Sequence, residues 1–444
     1  MTLRLHDMPP SCFEGVIPSV IATVAADGTP NISYLSHVLR VDEDHLALSN
    51  QFFGKTVANL RANPQAAILL VDARTAQQFQ LEALYAETID TGPIFDRIAT
   101  QLAATSTQVG LHDVMRLRAV DLFRVTRIDV SATGIAEPEG AGLGADLAMV
   151  ARVVDVLVGA NDVGGIIDGL LDGLHRTFGF EAALLMLQDH PREVLATVGS
   201  RGYGRQGVGS EVPFGQGVIG LAASERRPVK VNDLSRVRRF AGAIMSSSCE
   251  EDRTREIPLP GLPSGVSQIA VPLIAHGALL GVLSAESPRR MAFGREEEMA
   301  MTLLAQQAGA CLALVESSAA EPSEPTAPEP KAVPGRSFQV DCHGFDDSVF
   351  IDDAYIIKGL AGRILIWLLE HYVEEGRVDF SNREVRLSAG LRMPDYKDNL
   401  ETRLLLLRRR LEERQAPVQL RRAGRGQIRL MLNGTPRVIR HPAR

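Results

Sequence analysis

Chemistry in this chain is signalled first by the stretch SNQFFGKTVANLRANP, residues 49–64, where Gly54, Lys55 and Thr56 stand between an apolar run and a helix-like segment. A lysine and a hydroxyl at a helix start can hold an anion, because the backbone N–H groups there lack intrahelical acceptors and the helix dipole favours negative charge. A nucleoside-triphosphate loop needs a glycine five positions before Gly54, and that position is Ser49. The parallel βαβ setting is missing as well, so that chemistry is excluded. Two readings of the spacing stay open: an anion held at the helix start, or a solvated lysine beside a threonine that caps the helix.

Two further groups of residues invite chemistry. The four cysteines, Cys12, Cys249, Cys311 and Cys342, are scattered without a CxxC pair, which fits neither a disulfide framework nor a zinc site. Cys342 and His343 are adjacent, but two neighbours seldom complete a metal site, and none is expected. Cys249 lies in a long polar segment, 233–266, suited to a lid over a ligand. It could attach a chromophore or sense oxidants, although Glu250 and Glu251 beside it raise a thiol pKa. From Arg403 onward about a dozen arginines face two acidic residues, the reverse of a whole-chain net charge of −7. Such a basic end is the footprint of a nucleic-acid binder. Arg403, Arg408, Arg409 and Arg410 would meet bases or phosphates from a helix, and Arg421, Arg422 and Arg425 would grip the backbone from a Gly-rich ribbon. The competing readings are a solvated arginine face, pairing of Arg409 and Arg410 with Glu412 and Glu413, or a dimerisation helix in LETRLLLLRRRLEER. No catalytic acid, base or substrate clamp stands out.

These residues must be positioned by more than one domain, since 444 residues exceed one ordinary core. With 45% hydrophobic and 23% charged residues the composition is that of a soluble globular protein. No apolar run approaches the roughly 18 residues of a membrane span, and MTLRLHDMPPSCFEG lacks the apolar core of a signal peptide. A cytoplasmic protein without a membrane partner is the expectation. ESSAAEPSEPTAPEPKAVPGR cannot bury apolar area and reads as a semi-rigid linker. The expected division is 1–135, 145–316, a Pro-rich linker at 317–336, and 337–444.

In the first block, residues 17–50 alternate like three strands, with turns at Asp27–Gly28 and Asp42–Asp44. A short helix stopped by Pro64, a buried strand AAILLVD, a helix over 91–107 and a closing strand AVDLFRVTRIDV follow, which predicts a mostly antiparallel barrel with one or two helices. The second block opens with a helix burying Val163, Ile166, Ile167, Leu170, Leu171, Leu174 and Phe178, capped by Asn161 or Asp162. Strands, a hairpin turning at His276–Gly277 and a closing helix make it an α+β sandwich. The third block reads as mostly helical. It has a helix around Trp367, a second opened by the capping box Ser381–Glu384, and a third with Leu400, Leu404, Leu407 and Leu411 inward. A two-stranded ribbon after them completes a winged-helix-like order.

The run IATVAADGTPNISYLSHVLRVDEDHLALSNQFFGKTVANLRANPQAAILLVD resembles the pyridoxamine 5′-phosphate oxidase-like split barrels, over about residues 13–131. The resemblance implies FMN as cofactor. Haem, another tetrapyrrole, a deazaflavin or no cofactor are the alternatives among related barrels. By position it makes Ser49, Gln51, Lys55 and Thr56 the FMN-phosphate contacts, and it implies a homodimer with the flavin between subunits. The block ends LFRVTRIDV, without the Trp and Arg-x-His that grip substrate in true oxidases, so pyridoxal phosphate synthesis is not expected. VPFGQGVIGLAASERRPVKVNDL and IAVPLIAHGALLGVLSAES together resemble GAF domains over about residues 147–316. That implies a small-molecule ligand between the sheet and segment 233–266. The third block is similar in architecture to response-regulator effector domains, which implies DNA as partner. The expected function is a signal sensor and transcriptional regulator; the alternatives are an FMN-dependent oxidoreductase regulated by the GAF domain, or a cofactor-free barrel serving as a dimer scaffold.

Overall fold

The computed structural model describes residues 3–50, 54–108, 117–135, 144–189, 192–234, 255–318, 337–388, 391, 400–424 and 426–442. In the first block apolar residues recur at every second position of short runs, which extends the chain and turns one apolar face inward. Its strands are β1 (Ser19–Val24), β2 (Pro30–Leu35), β3 (Val38–Arg40), β4 (His45–Asn50), β5 (Gln65–Val71), β6 (Gln78–Ile89) and β7 (Ala119–Ala132). Its helices are α1 (Gly54–Ala62) and α2 (Pro93–Gln108). The strands form one antiparallel sheet in the order β2-β1-β5-β6-β7-β4-β3. It curls so that β2 returns beside β4, around Ile21, Leu46, Leu48, Ile68, Leu70, Leu81 and Phe123. Where three strands were expected before α1 there are four: the chain bends at Ser36–His37, sending β2 and β3 to opposite edges. The turn at Asp42 is held by its carboxylate, which accepts the N–H groups of Asp44 and His45.

The second block contains α3 (Leu147–Gly159), α4 (Val163–Asp172) running into a π-helical turn (Gly173–Thr177), β8 (Ala182–Asp189), β9 (Val194–Arg201) and β10 (Glu211–Pro213). It continues with α5 (Gly217–Glu225), β11 (Val229–Val231), β12 (Ser267–Ala275), β13 (Ala278–Ser287) and α6 (Arg295–Ser318). Its antiparallel sheet has the order β10-β9-β8-β13-β12-β11. All seven apolar residues expected on the α4 face are buried, and Asp162 caps that helix by accepting the Gly165 N–H at 2.7 Å. His276 and Gly277 make the hairpin turn with φ of 49° and 74°. One side of the sheet packs on α3, α4 and α6; the other packs on α5 and on α2 of the first block. Against the expectation of no apolar span, α6 is one helix among the described residues that is long and apolar enough to cross a membrane. Met301, Leu304, Ala305 and Ala308 on it are fully buried in the second block's core.

The third block is not mostly helical. Three strands precede its first helix: β14 (Phe338–His343), β15 (Ser348–Ile351) and β16 (Ala354–Ile357). Then come α7 (Gly359–Glu375), β17 (Asp379–Ser381), α8 (Asn382–Leu387), α9 (Leu400–Glu413), β18 (Val418–Gly424), β19 (Gln427–Leu432) and β20 (Pro436–His441). Two small sheets result, β16-β15-β14-β20 with β14 and β20 parallel, and β17-β19-β18. The Ser381–Glu384 capping box opens α8. On α9 the four expected leucines are buried, and so are Leu405 and Leu406 on its other sides, because the helix lies between its own block and the second block.

Candidate functional site

The residues expected to hold an anion divide into three environments. Lys55 sits exposed in the first turn of α1, and among the described residues no carboxylate lies within ion-pair distance of it. Asp27 feels its charge, although the Thr29 N–H is the main reason that carboxyl lies below its usual range. Thr56 is buried, and its hydroxyl meets Asn31 Nδ2 at 3.1 Å and Ser33 Oγ at 2.9 Å on β2. Because α1 begins at Gly54, Thr56 lies within the first turn and does not cap it. Ser49 is buried at the end of β4, where its hydroxyl accepts the His37 N–H at 3.1 Å. Gln51 lies outside the described residues.

Asn31 and Ser33 were missed by the sequence reading, yet a signal exists. In PNISYL the polar residues alternate with Ile32 and Tyr34, so one strand face carries hydroxyl and amide groups toward α1. The other leaves Ile32 69% and Tyr34 77% exposed. The donor set at this end suits an anion such as a phosphate: an uncompensated ammonium, the first-turn N–H groups of α1 and a small polar cluster beside them. Nearby, His37 is buried with Nδ1 lacking a hydrogen-bond partner, and burial pushes its imidazole down to about 4. Burial also pushes the Asp121 carboxyl up, against the hydrogen bonds it accepts from Thr88 and Asn50.

The arginines expected to meet DNA are placed otherwise than the sequence suggested. Arg403, Arg409 and Arg410 are only 8%, 9% and 2% exposed. Arg403 pairs with Asp189 at the end of β8. Arg409 donates to Asp168 on α4 at 2.9 Å and to the Val198 carbonyl on β9 at 2.7 Å. Arg410 donates to the carbonyls of Ile356 and Tyr355 and to Glu413, within its own block. The expectation that these three meet bases or phosphates is therefore corrected for this arrangement, because protein oxygens already occupy their guanidinium groups. Arg408 is partly exposed, with Glu412 at 3.9 Å. Arg421 is exposed, and Arg422 reaches Asp162. Arg425 and Cys249 lie outside the described residues. So does most of segment 233–266, the expected wall of the small-molecule pocket.

Residues 12–132 match the family model described as pyridoxamine 5′-phosphate oxidase, and residues 162–312 match the GAF domain model. The chain joins an oxidase-like barrel to a GAF domain. No curated protein matches it. Among solved structures, the GAF domain of an Acinetobacter phosphoenolpyruvate-protein phosphotransferase shares 18% identity over 38% of this chain and 94% of its own, with a TM-score of 0.32. An FMN-binding protein from Syntrophomonas wolfei subsp. wolfei shares 18% identity over 27% of this chain and 79% of its own, with a TM-score of 0.24. The free methionine-R-sulfoxide reductase of Neisseria meningitidis shares 20% identity over 38% and 89%, with a TM-score of 0.30.

The GAF domain touches both neighbours. Toward the barrel, its Lys230 pairs with Glu14 at 2.8 Å and with its own Glu298 at 3.0 Å, and Asn232 donates to Glu14 at 3.1 Å. Burial alone would depress the Lys230 ammonium, but the two carboxylates raise it above the usual lysine value. A cleft of 710 Å³ beside this contact is lined by Phe13, Glu14, Arg40, Arg97, Lys230 and Arg295. Toward the third block, Glu413 accepts the N–H groups of Gly207 and Val208 at 2.8 and 3.2 Å. A cavity of 390 Å³ there is lined by Arg192, Glu211, Arg255, Lys358 and Arg403. Glu14→Ala removes one of two carboxylates on the buried Lys230 and leaves Glu298, so it is expected to lower stability by about 2 kcal/mol, read by urea unfolding. Glu82→Ala, at an exposed pair with Arg127 at 4.0 Å, is expected to lose less than about 1 kcal/mol.

Proposed function

We propose that this chain is a signal sensor whose barrel and GAF domain govern a DNA-binding output carried by residues 337–444. The observation that carries this reading is the position of the GAF domain, gripping Glu14 of the barrel on one side and Arg403 and Arg409 of the basic block on the other. A change in either sensor module thus has a short mechanical route to the arginines. The third block supports a winged-helix reading through its order. A helix and a strand are followed by two helices and a hairpin, and that strand, β17, pairs with the hairpin's β19. Arg408 and Arg421 are the cations best placed for a first contact with phosphates.

In the barrel we assign Lys55, with the first turn of α1, to the phosphate of a flavin, FMN being the first choice. When bound, the flavin would supply the redox sensitivity. Lys55 offers charge, while Asn31 and Ser33 hold Thr56 and so fix the start of the helix. Lys55→Ala is expected to weaken FMN binding by about tenfold or more, the value of one charge-assisted hydrogen bond, with the circular dichroism of the barrel unchanged. Fluorescence quenching on titration with FMN reads the effect, and wild-type affinity in the variant would remove the assignment. Sustained NADH- or NADPH-driven turnover of the bound flavin would instead favour an oxidoreductase.

The outer face of the edge strand β2, which carries Ile32 and Tyr34, is assigned to a homodimer contact between barrels. Ile32→Lys together with Tyr34→Lys is expected to halve the mass seen by sedimentation equilibrium. An unchanged mass would place any dimer contact elsewhere.

A further inference from the structure

We propose that carboxylates of the GAF domain clamp the C-terminal block in a closed state that masks part of its arginine face, and that duplex DNA competes with them for the same guanidinium groups. This rests on the DNA-binding reading above. Three acidic residues of the GAF domain meet three arginines of the basic block: Asp189 with Arg403, Asp168 with Arg409, and Asp162 with Arg422. A carboxylate and a phosphate oxygen offer a guanidinium the same kind of charge-assisted acceptor, so an arginine held by one is lost to the other.

The contact is built. Gly199 on β9 leaves the space that the Arg409 guanidinium enters, since a Cβ there would lie 2.4 Å from Arg409 Nη1. Arg409 closes that socket on the Val198 carbonyl. Arg201 holds Asp168 from the far side at 2.8 Å and Asp172 at 2.7 Å, which fixes the carboxylate that Arg409 meets. Asp162 is the α4 cap and Asp168 lies on the same helix, so a shift of α4 against the GAF sheet moves two clamp carboxylates together. Arg410, bound to carbonyls of its own block, takes no part in the exchange. Arg408 and Arg421 stay on the outside in the closed state and allow the first encounter with a polyanion.

The test uses the full chain and two independent ways of opening the clamp. Asp168→Asn with Asp189→Asn removes two carboxylate charges; Gly199→Ala puts a methyl where the Arg409 guanidinium lies, so that side chain must leave the socket with every charge kept. Small-angle scattering reads docking, circular dichroism reads folding, and anisotropy of a fluorescein-labelled mixed-sequence duplex at fixed salt reads binding. Glu87→Gln with Glu296→Gln is the control for net charge, away from the contact. Both opened forms are expected to show a larger radius of gyration with unchanged circular dichroism. They should bind the duplex about tenfold tighter or more than wild type, as unmasking a minor binding-competent state requires; the control should match wild type. A double-Asn variant that stays compact overturns the clamp. Extended variants that bind the duplex no tighter than a binding wild type overturn the masking. Extended variants that bind no duplex overturn the DNA-binding reading and the competition with it, and scattering would still report the clamp.

Discussion

Asp189→Ala is expected to lower the stability of the folded chain by about 3 kcal/mol, because it takes from the buried Arg403 guanidinium the carboxylate it pairs with. The side chains of Arg403 and Asp189 are only 9% and 10% exposed, so water cannot replace the lost oxygen while the block stays docked. Burial pushes the Asp189 carboxyl up, but the charge of Arg403 and the hydrogen bond from Arg192 outweigh it and hold the group below the usual carboxylate range. Its contribution is therefore complete above the ordinary aspartate pKa and is lost as pH falls through the depressed native value. Combining Asp189→Ala with Arg403→Met removes both charges and should recover most of the loss, since an apolar pair avoids the desolvation cost. A thermal-unfolding cycle over the four proteins measures this. A single variant that melts within experimental error of wild type would show that the pair is solvated in solution.

The second large effect is a loss of stability on mild acidification, carried by His37. The imidazole titrates at 6.5 as a free side chain and at about 4 in the fold, because burial excludes the charged form. Between those values the unfolded chain takes up a proton that the folded chain refuses, so stability falls as pH drops from about 6.5 to about 4. The full swing amounts to roughly 3 kcal/mol. This window lies above the one in which Asp189 is protonated, so the two contributions separate along the pH axis. His37→Asn keeps a polar side chain without the titration. It should flatten the difference between urea midpoints at neutral and mildly acidic pH, and an undiminished pH dependence in the variant would assign the slope to other groups.

What was legible in the chain was local. The His276–Gly277 turn, the α4 cap at Asn161 or Asp162 (it is Asp162), the Ser381–Glu384 capping box and the apolar face of α4 each depend on residues within a few positions of one another, and the structure has all of them. β14, β15 and β16 escaped notice because they are short and because β14 finds a partner, β20, in residues almost a whole domain further on. The arginines misled for a related reason. Charge counting places Arg403 and Arg409 in water, while the acidic residues that bury them lie 214 and 241 positions away. At the barrel, the lysine at the helix start was visible in spacing. The polar face of β2 was hidden by its reversed pattern, with the apolar residues pointing outward.

The pairing of β14 with β20 also sets an order of events during synthesis. Phe338 pairs with Pro436 and His343 with His441, so one edge of β14 must wait for strand residues made nearly a hundred positions later. Until then its N–H and C=O groups form an open template beside β15, the kind of edge that recruits other chains. Contacts this distant in sequence close late and slowly. The third block is thus expected to complete its fold only once β20 is available, and released chains truncated just before Pro436 are expected to engage holding chaperones more than chains that include His441.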